Sequence, residues 1–244
     1  MHSKLHSSFN SSFDDITSHL KKAIDNGYKI ITCEQYVELK KQKLPPKVLV
    51  NRVDIDTHFK KTWILAKIFN SLNIKATFFV RLHGDEYNPF SFENYRCLKF
   101  IKDSGHEIGY HSEIIDQSVI WKEDPAKCLV RDITILNTML NIEIKGLASH
   151  GGLTGLNNLD FWKTHTPSEF GLLYEGYDNL PSFNLFYDSL YVSDSNYSWK
   201  CYDKGIKIQG LTKNLGEHVL DGHPLIYSTI HPDAYYKEYV YDYL

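Results

Sequence analysis

The chain of 244 residues carries 27 Lys and Arg against 30 Asp and Glu, a formal net charge of −3 and a sequence pI near 6.4. That balance excludes a general nucleic-acid or anionic-membrane surface. Hydrophobic residues make up 42% of the chain, enough for a buried core and incompatible with wholesale disorder.

In chain order, Phe13, Ile16, Leu20 and Ala23-Ile24 recur at helical spacing and predict a helix over 13–26, closed by Asn26-Gly27. A short strand over 28–32 and a helix over 34–41 follow, and Lys41–Lys47, with Pro45-Pro46, reads as a connector. The apolar run from Lys47 predicts a strong strand ending in Val53-Asp54-Ile55-Asp56, then a helix over 58–72 with Trp63, Ala66, Ile68, Phe69 and Leu72 inward. Strand 75–82, helix 92–104, strand 106–113, helix 124–140 and strand 144–150 continue the alternation, which argues for a parallel sheet with right-handed crossovers. Beyond it the strand candidates are 171–175, 189–194, 206–211 and 225–231, joined by short or loop-like segments. With no repeat, low-complexity tract or linker, residues 1–244 are expected to form one domain, 1–46 being an extension packed on it.

Cys33, Cys97, Cys128 and Cys201 are scattered without a CxxC pair, which predicts buried, reduced thiols of a cytosolic protein. No segment approaches about eighteen consecutive apolar residues, and Met1-His2-Ser3-Lys4-Leu5-His6-Ser7 has no signal-type apolar stretch. A soluble, cytoplasmic protein is expected. The 17 Tyr and 13 Phe suit a sugar-stacking surface and an aromatic-rich core equally well.

The chemistry-bearing residues sit at strand ends. The strand period of two sends Asp54 and Asp56 to the same side, where two carboxylates repel unless a cation lies between them. The competing reading, a pair of helix-capping acids, follows from the helix that opens at Thr57. His111 and Glu113 end another strand on one shared face, with Asp116 within loop reach. His150 ends the next, followed by Gly151-Gly152, whose backbone N–H can approach a substrate oxyanion. His231 ends the last strong strand, and Asp194, at the end of a neighbouring one, is placed to orient its ring or to serve as a turn residue. Arg52 is assigned the opposite side-chain phase, bracing Asp54 from behind.

These segments resemble the polysaccharide deacetylase superfamily (the NodB-type fold, carbohydrate esterase family 4-like). The resemblance rests on Asp54-x-Asp56, on Ile74-Lys75-Ala76-Thr77-Phe78-Phe79-Val80 and on Asp103-Ser104-Gly105-His106-Glu107-Ile108-Gly109-Tyr110-His111. It is closest to a branch encoded in bacterial O-antigen and capsule gene clusters. The features shared with that branch are Arg52, Leu82-His83…Tyr87-Asn88, Ser149-His150-Gly151, Ser193-Asp194-Ser195 and His231-Pro232.

The resemblance implies an α/β fold, an irregular (β/α) barrel of seven to eight strands, with Asp54 as general base, Asp56 and His111 as metal ligands and His231 as general acid. One departure matters: the family's second metal histidine, four residues after the first, is replaced by Ile115. His150, slightly preferred, or Glu113 is then needed to complete the coordination. The expected cofactor is a divalent metal, zinc before others for mixed N/O ligands.

Arg52, His83, Tyr87, Asn88 and Gly151 form the expected substrate-binding set, and His106, at the opposite strand end, is expected to be structural. The expected activity is hydrolysis of an N-acetyl or related acyl group on an amino sugar, with a nucleotide sugar or glycan of surface-polysaccharide biosynthesis as substrate. An O-acetyl esterase and a metal-free glycan-binding barrel are the alternatives, the latter favoured by Ile115.

Overall fold

The computed structural model describes residues 11–210 and 212–237. Met1–Ser7, read above for a signal stretch, and Leu211, the end of the expected strand 206–211, lie outside the described residues. The elements run α1 (Phe13–Asp25), β1 (Lys29–Ile31), α2 (Cys33–Lys40), β2 (Val48–Ile55), α3 (Phe59–Ser71), β3 (Thr77–Val80), α4 (Phe92–Asp103) and β4 (Glu107–Ser112). They continue with α5 (Ile114–Trp121), α6 (Pro125–Leu140), β5 (Gly146–Ser149), β6 (Tyr174–Glu175), α7 (Leu185–Asp188) and β7 (Leu190–Ser193). The described chain closes with β8 (Lys200–Asp203), β9 (Ile206–Lys207), α8 (Leu215–Asp221) and β10 (Leu225–Ile230). Short 3-10 turns occupy Asn158–Lys163, Pro167–Phe170 and Pro232–Ala234.

The ten strands form one sheet in the order β6-β5-β4-β3-β2-β10-β7-β8-β9, with β1 also paired to β2. All pairings are parallel except β7–β8 and β8–β9. Among the described residues no pairing joins β6 to β9, so the closure expected of a barrel is not made by hydrogen bonding. The reason is visible at the two edges: β6 and β9 are each two residues long, and β9 is exposed.

All eight residues of β2 are buried, as a strand covered on both faces must be. Alternation sends Leu49, Val53 and Ile55 to one apolar cluster with α1, α3, α4 and α6, and Val48 and Val50 to a second with Tyr174, Phe183, Tyr191 and Tyr227. Each fully buried Leu, Ile, Val or Phe contributes about 1.5–3 kcal/mol against exposure. Capping boxes at Ser12/Asp15, Thr32/Gln35 and Asn214/Glu217 fix the starts of α1, α2 and α8, each cap worth about 1 kcal/mol.

The parallel register places the β2, β4, β5, β7 and β10 carboxyl ends on one side. Ile230 pairs with Val53, Asp54 with Phe79, Phe79 with Gly109, and His111 with Ala148. Gly109 is required there. A Cβ on it would stand 2.4 Å from the Phe79 ring, which fills the space beside His111.

Candidate metal centre

Asp56, His111 and His150 present ligand atoms that all lie within 4.8 Å of one another. His111 Nε2 is 3.3 Å from Asp56 Oδ1 and 3.5 Å from Asp54 Oδ2, and His150 Nε2 is 3.9 Å from Asp56 Oδ1. His231 completes the ring of groups, its Nε2 3.9 Å from Asp54 Oδ2 and 3.8 Å from Asp56 Oδ2.

The chemistry of these donors fits a divalent cation. His111 Nδ1 lies 2.8 Å from the Ala148 carbonyl, which only accepts, so Nδ1 carries a hydrogen and Nε2 is turned toward the carboxylates, where it can hold a proton or a metal ion. Asp56 Oδ1 is buried and accepts no hydrogen bond in this structure. A lone pair and two carboxylates facing one another demand a positive charge between them, a proton or a metal ion.

The electrostatics follow from the same geometry. Burial works against ionised Asp54, but the Arg52 guanidinium, His111 and His231 outweigh it and hold its pKa below the usual carboxylate range. Asp56 is likewise opposed by burial, then driven well below that range by His111, His231 and His150. Burial alone lowers the His231 pKa; the Asp194 carboxylate, with Asp56 and Asp54, reverses this and raises it to about 10.

His231 is held by a buried carboxylate. Its Nδ1 lies 2.6 Å from Asp194 Oδ1, its backbone N–H donates to both Asp194 oxygens at 3.0 and 3.2 Å, and the Tyr235 hydroxyl donates to Asp194 Oδ2 at 2.7 Å. Asp194 itself is fully buried at the end of β7.

Arg52 requires correction. Residues two apart on a strand share a face, so Arg52 is in phase with Asp54, not opposed to it. Its Nε and Nη2 donate to Asp54 Oδ1 and Oδ2 at 2.7 and 2.8 Å, a bidentate pair, and Nη1 donates to the Tyr227 hydroxyl at 3.1 Å. The guanidinium lies over the Phe79, Tyr177 and Tyr227 rings and is 0% exposed, so it braces Asp54 and has no access to a substrate.

Three other expected substrate contacts also make hydrogen bonds within the protein. His83 Nε2 lies 2.8 Å from Asp132 Oδ2 with the ring edge-on to Trp121. The Tyr87 hydroxyl donates to Ile55 O at 2.6 Å and accepts from Arg81 N, bracing the β2 end. Asn88 Oδ1 accepts from Phe90 N in an exposed turn. Gly151, beside His150, is exposed with open space where a Cβ would stand.

Glu113 stands apart from the three-residue group, behind His150. Arg81 donates to its Oε1 from Nε and Nη2 at 3.1 and 2.8 Å, and His150 Nδ1 faces the same oxygen at 3.4 Å. Asp116 accepts from Leu153 N, Thr154 N, the Thr154 hydroxyl and Asn158 Nδ2, which shapes the loop after His150. Ile115 lies in the first turn of α5 and packs against the core. His106 is structural: its Nδ1 accepts from Ala76 N at 3.2 Å.

The residue that sequence reasoning missed is Arg81. It is 3% exposed, and besides Glu113 it donates to the Asp56 carbonyl at 2.9 Å, tying the β2 and β4 ends together. Its only signal was a position one residue past a strand that ends beside two others bearing acids.

No protein-family model and no curated protein matches the sequence. Among solved structures, the chain is similar to a Streptococcus pyogenes deacetylase, PplD, in complex with acetate. Identity is 19% and the TM-score 0.43, over 55% of this chain and 61% of that one.

Proposed function

We propose that this protein is a metal-dependent deacylase that removes an N-acetyl or related acyl group from an amino sugar. The observation that carries the reading is the meeting of Asp56, His111 and His150 with two proton carriers, Asp54 and His231, at one set of strand ends. The family resemblance of the motifs supports the same roles.

Asp56, His111 and His150 are the residues that would hold the ion, with His150 supplying the nitrogen that the family takes from the position of Ile115. Bound there, a divalent ion supplies Lewis acidity toward a carbonyl oxygen and lowers the pKa of water. Asp54 Oδ2, unshared with backbone donors, accepts the proton of the attacking water. The Arg52 pair fixes its plane and keeps it ionised. His231 Nε2, protonated near neutral pH, faces the same space and delivers a proton to the departing amine nitrogen. The Gly151 N–H, on an exposed turn, is available to the oxyanion. Zinc is the ion that two imidazoles and a carboxylate favour. Nucleotide sugars and glycan fragments of surface-polysaccharide biosynthesis are the substrates proposed, and the cytoplasm the compartment. Among the described residues no helix is long and apolar enough to cross a membrane.

The test is acetate release from a panel of N-acetylated and O-acetylated nucleotide sugars and glycan fragments by zinc-loaded protein. Asp54→Asn and His231→Ala are each expected to lower turnover by about a hundredfold or more, with metal content and fold retained. Absence of release across the panel, or variant rates equal to the parent's, would overturn the assignment.

A further inference from the structure

A second cluster of ligand atoms lies at the other end of the sheet. His218, Asp221 and His223, around the end of α8 and the start of β10, place their ligand atoms within 4.8 Å of one another. From His223 to His231 the chain runs the length of β10, roughly 25 Å at 3.3 Å per residue, so the two clusters cannot share an ion.

Local structure builds this cluster. His218 and Asp221 are three apart on α8 and face the same side, His218 Nδ1 lying 3.6 Å from Asp221 Oδ2. Gly222 then adopts a left-handed conformation, φ +79°, that ends the helix and turns the chain back. The turn brings the His223 ring to 5.9 Å from the His218 ring, and the Tyr28 hydroxyl anchors it by donating to the His223 carbonyl at 2.7 Å.

The independent sign of a ligand is His218 itself. It is 2% exposed, yet neither ring nitrogen has a hydrogen-bond partner. A buried polar group left without a partner is destabilising, and both nitrogens of one ring are left so here. A cation at the cluster would satisfy one of them.

We propose that His218, Asp221 and His223 form a second, peripheral site for a first-row divalent metal ion, zinc being the natural occupant. Two imidazole nitrogens and one carboxylate oxygen supply three ligands of a tetrahedron, and the exposure of Asp221 leaves the fourth to water. Lys213 Nζ now lies 3.0 and 2.8 Å from the Asp221 oxygens. Both partners lie at the surface, so the pair is weak and does not bar a divalent competitor. The partial negative charge of the helix C-terminus adds to the attraction. The ion would tie the end of α8 to the start of β10, the strand that carries His231.

The site does not depend on the proposed function and is read where the first centre has been removed. Full-length protein carrying His111→Ala and His150→Ala is dialysed against zinc and its metal content measured. One equivalent per chain is expected, and adding His223→Ala or Asp221→Asn should weaken binding at least tenfold. Cobalt(II) in the same variant should give visible absorption bands that His223→Ala abolishes. Because His218 is buried and its replacement risks unfolding the chain, the two more exposed ligands carry the decision. The proposal is overturned if the double variant takes up no zinc, or if uptake is indifferent to His223→Ala and Asp221→Asn, as for an ion held by scattered surface histidines.

Discussion

His231 is charged because of what surrounds it. An imidazole this enclosed would be neutral if burial acted alone; the Asp194 carboxylate at 2.6 Å, with Asp56 and Asp54, raises its pKa to about 10. A proton donor works only while protonated, so the contribution of His231 is lost as pH rises through its pKa. Asp194→Asn removes the nearest negative charge and keeps an acceptor for Nδ1. The alkaline limb of kcat/KM is expected to move to lower pH by on the order of one unit or more, each unit being about 1.4 kcal/mol. A limb that stays in place would mean that Asp194 merely shapes the turn.

The sequence made Asp194 legible as a carboxylate ending a strand beside His231. It did not reveal Arg81, because nothing local marks an arginine that reaches across to Glu113 on another strand. The Arg52 phase was readable and was misassigned: positions 52, 54 and 56 alternate together. The protein contacts of His83 and Tyr87 were hidden for another reason. They follow a strand end as pocket residues do, but the partners they bond to, Asp132 and Ile55, come from other elements.

Among the elements, those with strong periodicity and clear stops were legible: α1, α3, α4 and α6 lie within a residue or two of their expected spans. α5 was not, since Ile114-Ile115-Asp116-Gln117-Ser118-Val119-Ile120-Trp121 has no clean polar stripe and exposes Val119, Ile120 and Trp121. β8 was missed because its alternation, Lys200-Cys201-Tyr202-Asp203, is too short to register. The expected strands 171–175 and 206–211 shrink to two-residue β6 and β9, whose pairing depends on a neighbour rather than on local pattern.

The β3–β4 pair carries a pH prediction. His106 is 6% exposed, lies edge-on to Phe78, and accepts from Ala76 N through Nδ1, which requires the neutral ring. Burial, with a contribution from Lys75, lowers its pKa to about 4 from the ordinary 6.5. The unfolded chain therefore binds the proton first, and stability is fully present above about pH 6.5 and lost as pH falls toward 4. The loss from this ring is up to about 3 kcal/mol. Urea unfolding at pH 7 and pH 5 measures it, and His106→Gln, which keeps an acceptor but does not titrate, should flatten the difference. Equal slopes for parent and variant would refute the account.

For the whole molecule, a ten-stranded sheet whose central strands are buried on both faces leaves its strand ends as the place where polar groups from distant parts of the chain can meet. Asp54 and His231 are 177 residues apart in sequence and face each other because β10 returns beside β2. That return was expected from a barrel, and among the described residues it occurs without a hydrogen-bonded closure between β6 and β9. Arg52 neutralises Asp54, but Asp56 and His111 gain further from a positive charge between them, so ligand binding there should be read out as stability of the entire fold.

The measurement is thermal unfolding of His223→Ala protein, which silences the peripheral cluster, with zinc and with a chelator. At a free zinc concentration a hundredfold above Kd, binding to the native state adds about 2.7 kcal/mol. For a chain of this size that corresponds to a rise in Tm of roughly 5–10 °C. Adding His111→Ala removes a nitrogen ligand and should abolish the rise. A rise of equal size in that variant would place the ion elsewhere, and no rise in either protein would leave the proton on His111, rather than a metal, as the charge that lets Asp54 and Asp56 stand together.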